Sequence, residues 1–439
     1  MTEKNKLLTI LEKVLPKDIP AEIAVVTQSQ EASWLRHNSM VQGSKVDNVL
    51  VQVRVEENGR VGEGTTNVFN LPSLRQAVSQ ARKGAFCPGP LVLSGSKGYR
   101  ELSLASATLE QSPQDRASLL TKITDLAGRA SLLVDGSLTA NVAEIAVVNS
   151  LGVSAYTKAA SAEFEITVSS STGPGRGYGY FCHPNAEKLD VISPFLIAAA
   201  KCQSSDKQQP LPAGEYTVIL EPAAVAGLME VAAKIFFDGQ AFIQQQTPIS
   251  QLGEKLFSEQ LTIWDDSLDP RGLQLPFDFE GTPKQRLSLV NRGIVQGVCL
   301  DNESAAKLNA VSTGHSLPGV GTPRPGHLVL EAGNAMLDDM IASTKRGILV
   351  SRFHGISILD PREAVITGTT AGGTLLVENG KLTAALPDLR FVQNLVGALD
   401  SIEMTGDETR LLGGLWGSFL VPALKLNNFT FLTGNTGQI

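Results

Sequence analysis

The sequence has few side chains of the kinds that hold transition metals. It contains four cysteines and five histidines among 439 residues. These are Cys87, Cys182, Cys202, Cys299, His37, His183, His315, His327 and His354. No Cys-x-x-Cys pair occurs, and no two histidines stand at the short spacing that gives two zinc ligands from one helix. The spacing of the cysteines and histidines therefore does not support a zinc site, although ligands from distant parts of the sequence could still form one. The scattered cysteines favour free thiols in a reducing compartment.

Positive charge and long apolar runs are also missing. The net charge is −7 and the isoelectric point is about 5.4, so we do not expect nucleic acid as a ligand, because phosphate binding needs a basic surface. No run of about eighteen apolar residues could span a membrane. The charged N-terminal segment lacks the apolar core and cleavage site of a signal peptide. With 42% hydrophobic residues, we expect a globular cytoplasmic protein of roughly two or three domains.

The order of the predicted elements indicates two domains. The first elements are a helix over 2–16, strands over 22–28, 33–41, 48–56 and 60–67, with a tight turn at Asn58-Gly59, and a helix over 71–83. A stretch rich in Gly, Pro and Ser at 84–98 is a candidate sub-boundary. The polar segment 203–214 is the main boundary, which gives domains 1–205 and 206–439. The predicted fold class is α+β: an N-terminal α/β region of strands backed by helices, then a larger, mainly antiparallel β domain with one central helix.

The central helix is predicted over Glu221–Gly239, with Pro222 at its first position and the final glycine just past its last turn. Within it, Met229, Glu230 and Lys234 stand at the spacing His-Glu-x-x-x-His, which with two histidines would be a zinc peptidase motif. Neither a thioether nor a charged ammonium can replace an imidazole. Spacing alone favours an ordinary helix in which Glu230 and Lys234 form an i,i+4 pair worth roughly 0.2–0.5 kcal/mol.

Three other features could belong to a site, and each has a simpler interpretation. The Gly-rich segment 171–179 is similar to a phosphate loop, but a strand follows it, so we predict a hairpin turn. We predict that His315, in a turn-rich stretch, is a surface loop residue rather than a catalytic base. Asp265, Asp266 and Asp269 could bind a hard cation, but a solvated acidic turn is the favoured interpretation. No Gly-x-Ser-x-Gly elbow occurs.

Several longer motifs in the second half of the chain point to a family. They are Gln251–Phe257, Leu261–Asp266, Phe277–Pro283, Asn291–Gly293, Gly347–Val350 and Gly368–Gly373. Together they resemble the TldD/PmbA family, whose members are also described as modulators of DNA gyrase and as microcin maturation peptidases. The N-terminal half is compatible with this family from about Ala24 onward, so the resemblance covers most of the chain.

The resemblance implies that this chain is one half of a pair. In the family, the TldD-type subunit carries a His-Glu-x-x-x-His helix and a later cysteine that hold zinc, whereas the TldE/PmbA-type subunit lacks them. Here Met229 and Lys234 occupy the histidine positions, Glu230 matches the glutamate, and no cysteine follows Cys299. The resemblance thus implies a non-catalytic subunit with no metal or cofactor residues of its own. It also implies a TldD-like partner that holds the zinc, and unfolded or small peptides as substrates of the complex.

Two alternatives stay open at this point. The chain could be an active metallopeptidase whose metal site is not recognised. It could also be a homodimeric peptide-binding or protein-binding protein without a protease role.

Overall fold

The computed structural model describes residues 3–100, 102, 113–204, 207–317, 322–414 and 417–432. The strands of its N-terminal part are β1 (Ala21–Arg36), β2 (Ser39–Glu57), β3 (Arg60–Thr66), β4 (Cys87–Pro88), β5 (Leu132–Asn149), β6 (Ser154–Ser170) and β7 (Arg176–His183). The described helices of this part are α1 (Glu3–Val14), α2 (Leu71–Lys83), α3 (Pro113–Arg129) and α4 (Ile192–Gln203), with a short 3-10 turn at Ala186–Lys188.

These strands form one antiparallel sheet in the order β4-β3-β2-β1-β5-β6-β7. The tight turn predicted at Asn58-Gly59 is confirmed, because both residues have positive φ. The strand predicted over 33–41 is wrong. His37 and Asn38 have φ values of 47° and 63°, so they turn the chain between β1 and β2. The segment 171–179 forms the predicted hairpin turn, between β6 and β7.

Both faces of this sheet are covered over much of its area. The first six residues of β1 are all buried, the pattern of a strand packed on two sides rather than one. On one face, Ile23 shares a core cluster with Leu11 of α1 and Leu74 of α2, and α3 and α4 cover the sheet further along. On the other face, Val26 shares a cluster with Phe277 from the second half of the chain. The sheet therefore packs between its own helices and the C-terminal part.

The C-terminal part is built mainly of strands. They are β8 (Gly214–Leu220), β9 (Ile263–Asp265), β10 (Leu287–Asn291), β11 (Ile294–Val295), β12 (His327–Leu330), β13 (Arg346–Asp360), β14 (Val365–Glu378), β15 (Lys381–Leu386), β16 (Arg390–Asn394), β17 (Ile402–Gly414) and β18 (Gly417–Phe431). The described helices here are α5 (Pro222–Phe236), α6 (Gly239–Ile243), α7 (Asn302–Lys307), α8 (Leu337–Ala342) and α9 (Leu395–Asp400).

Part of the C-terminal sheet closes on itself. β18 pairs with β16 on one side and with β8 on the other, so β18, β16, β14, β13 and β8 form a ring. Closure leaves these strands without a long free edge. Most pairings are antiparallel, and β12–β18 and β13–β8 are parallel. The α+β fold class, with a larger and mainly antiparallel second part around a central helix, is confirmed.

The central helix α5 is shorter than predicted. It begins at the predicted proline but ends at Phe236, and Asp238 caps the separate helix α6. Gly239 is therefore the first residue of α6, not a left-handed residue that ends α5. A Cβ on Gly239 would lie 2.2 Å from the backbone oxygen of Cys299. Glycine is needed here because two chain segments approach closely.

The segment 84–98 does not divide the N-terminal sheet. Strands from both sides of it belong to the same sheet, since β1 pairs with both β2 and β5. The Ser94 hydroxyl also lies within hydrogen-bond distance of the Thr282 hydroxyl, so this segment contacts the C-terminal part. The sheet gives no support to a sub-boundary there. The predicted boundary between 205 and 206 lies outside the described residues, and the division into 1–205 and 206–439 stays a prediction.

No helix in the described part of the chain is both long enough and apolar enough to cross a membrane.

Candidate functional site

A cleft of about 730 Å³ lies between the N-terminal sheet and the C-terminal part. The sheet contributes polar side chains from β1, β2, β5 and β6, namely Gln28, Gln30, Asn48, Asn141 and Glu163. The opposite wall includes Glu230 and Lys234 of α5, together with Arg324 and Phe419. Its size and mixed lining are those of a ligand-binding cleft.

The C-terminal half of α5 faces this cleft at Glu230, Ala233 and Lys234. After its first residue, the helix is buried except at Ala223, Gly227, Glu230 and Lys234, which recur every three or four residues along one side. Lys234 Nζ donates a hydrogen bond to Glu230 Oε1 at 2.8 Å. This is the i,i+4 pair that the spacing predicts. Met229 lies about 100° further round the helix from Glu230 and is fully buried in the main core cluster.

The three predicted positions do not converge on one point, and the absence of a metal site there stays a prediction. The structure brings Glu230 and Lys234 together but places Met229 in the core, away from the cleft. Zinc is held by imidazole, thiolate or carboxylate groups that converge on it, and here the carboxylate is bonded to an ammonium. Over the described ranges, no group of three or more His, Cys, Asp and Glu side chains could hold a metal ion. The residues on α5 do not fit the zinc that the family resemblance implies for the active subunit.

Glu163 is the acidic group on the sheet side of the cleft. Its carboxylate accepts hydrogen bonds from Ser161 Oγ at 3.0 Å, Asn141 Nδ2 at 3.2 Å and the Tyr180 hydroxyl at 3.2 Å. Burial raises the pKa of Glu163, and these three donors oppose that rise. Its oxygens are thus already occupied by the protein. The sequence analysis missed this residue, because nothing in the local pattern of β6 marks it.

His315 is not the surface residue that the sequence predicted. Its side chain is fully buried, and its Nε2 lies 3.0 Å from Asp265 Oδ2. Burial and Lys284 lower the pKa of His315, whereas the Asp265 carboxylate and a backbone hydrogen bond with Thr313 oppose that shift. Nε2 carries a ring proton, because the ionised carboxylate can only accept. The turn-rich sequence around His315 led to a wrong prediction of exposure, because the loop folds inward onto β9.

The acidic cluster is also not a solvated turn. Asp265 is fully buried and accepts the backbone N–H of His327 at 2.7 Å. Burial by itself would raise the pKa of Asp265, but His315, Lys284 and this N–H together lower it to about 2. Asp269 is mostly buried and binds Arg271. The carboxylates are used for packing and hydrogen bonding within the C-terminal part, so they do not form an open cation site.

A buried ion cluster joins the two halves of the chain. Arg54 on β2 contacts Glu22 on β1 at 2.6 Å and Glu280 of the C-terminal part at 2.7 Å. Burial raises the pKa of Glu280, which Arg54 opposes while nearby Asp278 and Asp301 add to it. The sequence analysis missed this cluster. The sequence does contain a signal for this cluster: a charged residue lies between apolar strand residues in Ala21-Glu22-Ile23 and in Val53-Arg54-Val55.

Replacing Glu280 by glutamine is expected to change the pH dependence of stability. Folding raises the pKa of Glu280 from 4.5 to about 7, so the carboxyl stabilises the folded state fully below about pH 4.5. That contribution is lost as the pH rises to about 7. Glutamine does not titrate, so the variant should gain stability relative to the original chain between these values. Urea unfolding across this range measures the difference. Glu408→Gln, at an exposed glutamate, is the matched control, and a pH-independent difference for Glu280→Gln would refute the expectation.

The family model for the PmbA/TldA metallopeptidase C-terminal domain matches residues 213–433. The chain belongs to the TldD/PmbA family. The matched range contains α5, all five strands of the closed ring and the motifs from 251 to 373. The resemblance seen in the sequence is therefore confirmed, and the family is one of metallopeptidase-like proteins.

Known members of the family match over most of their length. A metalloprotease TldD homolog from Buchnera aphidicola is 24% identical over 422 residues, covering 87% of this chain and 84% of that protein. The crystal structure of TldE from Thermococcus kodakarensis superposes with a TM-score of 0.85 at 24% identity, covering 98% of this chain and 99% of that one. A candidate modulator of a DNA gyrase from Thermotoga maritima gives a TM-score of 0.84 at 19% identity, with the same coverage. These structures establish that the TldD/PmbA fold extends over both halves of the chain.

Proposed function

We propose that this chain is the non-catalytic, TldE/PmbA-like subunit of a TldD/TldE-type zinc metallopeptidase complex that acts on unfolded or small peptides. The observation that carries the proposal is the pairing of Glu230 with Lys234 where α5 faces the cleft, while Met229 is in the core. A glutamate that serves as a base needs a metal-bound water to activate. Here its hydrogen-bond partner is an ammonium that has no lone pair to offer a metal. The zinc would belong to a TldD-type partner.

The cleft supports peptide binding through the side chains that the N-terminal sheet presents to it. Where they line the cleft, β1, β5 and β6 are paired on both sides within the N-terminal sheet, whereas β2 at Asn48 is paired with β1 only. They present a face to the cleft, with amide side chains at Gln30, Asn48 and Asn141. Amides can both donate to and accept from a peptide backbone. Such contacts tolerate many peptide sequences, as a subunit handling unfolded chains requires.

Reconstitution tests the proposal. The chain is purified alone and together with the His-Glu-x-x-x-His paralogue from the same genome. Zinc content and cleavage of an unfolded peptide are then measured for each preparation. We expect the chain alone to be inactive, and the pair to cleave with about one zinc, held by the paralogue. Zinc-dependent cleavage by the chain alone would overturn the proposal in favour of an active peptidase. If the chain forms a stable homodimer and does not bind the paralogue, the result would favour the alternative that it is a binding protein without a protease role.

A double variant serves as the control on the site itself. Met229→His with Lys234→His should not restore zinc binding or cleavage, because position 229 lies in the core and a third ligand is still missing. Metal analysis of the purified variant and a peptide cleavage assay check this. Tight zinc binding accompanied by cleavage would contradict the idea that the site is incomplete.

A further inference from the structure

We propose that Arg324 is an anchor for a carboxylate of the bound peptide, either its C-terminal carboxylate or an Asp or Glu side chain. This inference rests on the proposed function, since it assumes that a peptide enters the cleft. Arg324 lines the cleft opposite the sheet. Its planar guanidinium can grip a carboxylate with two parallel hydrogen bonds, which a lysine cannot do.

Arg324 has unused hydrogen-bonding capacity. Its Nε is buried and has no hydrogen-bond partner among the described residues. In the part of the chain that the structure describes, no carboxylate lies within ion-pair distance of the Arg324 guanidinium. An arginine stays charged at any ordinary pH, and a charge that is partly withdrawn from water is stabilised by an anion. An anionic ligand would supply the negative charge and the hydrogen-bond acceptor for Nε that the described residues do not.

The backbone around Arg324 is held in place before any ligand binds. Pro323 and Pro325 flank it, so rotation is restricted at both neighbours and at Arg324 itself. The Arg324 N–H donates to the backbone oxygen of His315 at 3.1 Å. His315 is in turn fixed by its bond to buried Asp265. Because this backbone is already fixed, binding need not order it, and only the side chain loses conformational entropy, which favours affinity.

The other charged groups of the cleft are already engaged. Lys234 is bonded to Glu230. Glu163 accepts bonds from three side chains of the sheet, and burial raises its pKa, which weakens its competition for a cation. A peptide anion in the cleft would therefore meet Arg324 as the available cation on the described walls. Gln30 and Asn48 also line the cleft, so their amides can contact the rest of the peptide.

Matched peptides test the assignment on the full chain. Four fluorescent ten-residue unstructured peptides of one sequence are compared by anisotropy: free acid or amide at the C-terminus, each with a central Glu or Gln. We expect the amidated Gln peptide to bind more weakly than at least one charged form. Arg324→Gln should weaken the preferred charged form by roughly tenfold or more and leave the uncharged peptide unchanged. Arg324→Lys should fall between, since it keeps the charge but not the paired donors.

Arg75→Gln is the control, because Arg75 is an exposed residue of α2 away from the cleft. Thermal melting verifies that each variant is folded. The acid and amide arms identify a C-terminal carboxylate, and the Glu and Gln arms identify a side chain. If all four peptides bind alike, and Arg324→Gln changes none of them, this inference fails while peptide binding stands. If no peptide binds, the proposed function of the cleft and this inference both fail.

Discussion

Replacing Arg54 by methionine is expected to lower the free energy of unfolding by about 3–5 kcal/mol. Arg54 is the counter-charge for two carboxylates, Glu22 and Glu280, whose side chains are 3% and 2% exposed. Methionine fills much of the same volume, so the loss would come mainly from leaving both carboxyl groups buried without their cation, which above neutral pH costs free energy whether they stay ionised or take up a proton. The contact also joins the N-terminal sheet to the C-terminal part, so the change should weaken their packing. Urea unfolding followed by tryptophan fluorescence measures the effect.

An exposed ion pair provides the comparison. Arg410 contacts Glu408, and both side chains are more than half exposed, so Arg410→Met should change stability by no more than about 0.5 kcal/mol. Adding Glu22→Gln and Glu280→Gln to Arg54→Met should recover part of the loss, because the uncompensated charges are then removed. If Arg54→Met cost no more than Arg410→Met, the cluster would not contribute to stability in this way.

Placing valine at Gly177 is expected to destabilise the protein by about 1–3 kcal/mol or more. A Cβ on Gly177 would lie 1.9 Å from the backbone oxygen of Ala198, and one on Gly179 would lie 2.1 Å from that of Pro194. The two glycines share one face of β7, because alternate residues of a strand point the same way. They allow α4 to pack directly on the strand. With valine the helix and the strand must separate, and a thermal melt should show a lower midpoint.

Gly98→Val is the matched control for Gly177→Val. Gly98 is exposed, and among the described residues no atom lies within 4 Å of a Cβ built there. Valine at this position should leave the melting midpoint nearly unchanged, since stiffening an unstrained loop acts mainly on the unfolded chain. Equal melting midpoints for the two variants would show that the contact between β7 and α4 can adapt to a side chain.

Elements whose signals lie within a few residues were predicted well. Helix α2 spans Leu71–Lys83, as the sequence indicates, because Asn70 caps it and its apolar residues recur at the helical period. The turn at Asn58-Gly59 was predicted because these residues tolerate positive φ, and both have it. The hairpin turn at 37–38 was missed, because His37 does not favour that conformation and the strand pattern continues across it.

In the candidate site, too, the contacts between residues close in sequence were predicted and those between distant residues were not. The pairing of Glu230 with Lys234 follows from their separation by one helical turn, and the structure contains it. The burial of His315 and Asp265 does not follow from any local pattern, because each finds its partner about fifty residues away in the sequence. Both predictions of exposure were therefore wrong. Glu163 and Arg324 acquire their shared surroundings only when the N-terminal sheet meets the C-terminal part.

By itself, the amino-acid sequence determined the family, the α+β class, most local elements and the absence of histidines from the central helix. These follow from residue identity and short-range periodicity, which do not depend on the rest of the chain. Only the tertiary structure decided which side of α5 faces the cleft, which charges are paired and which strands close into a ring. Those outcomes depend on contacts between residues far apart in the sequence. Side-chain packing selects such contacts, and no local pattern records them.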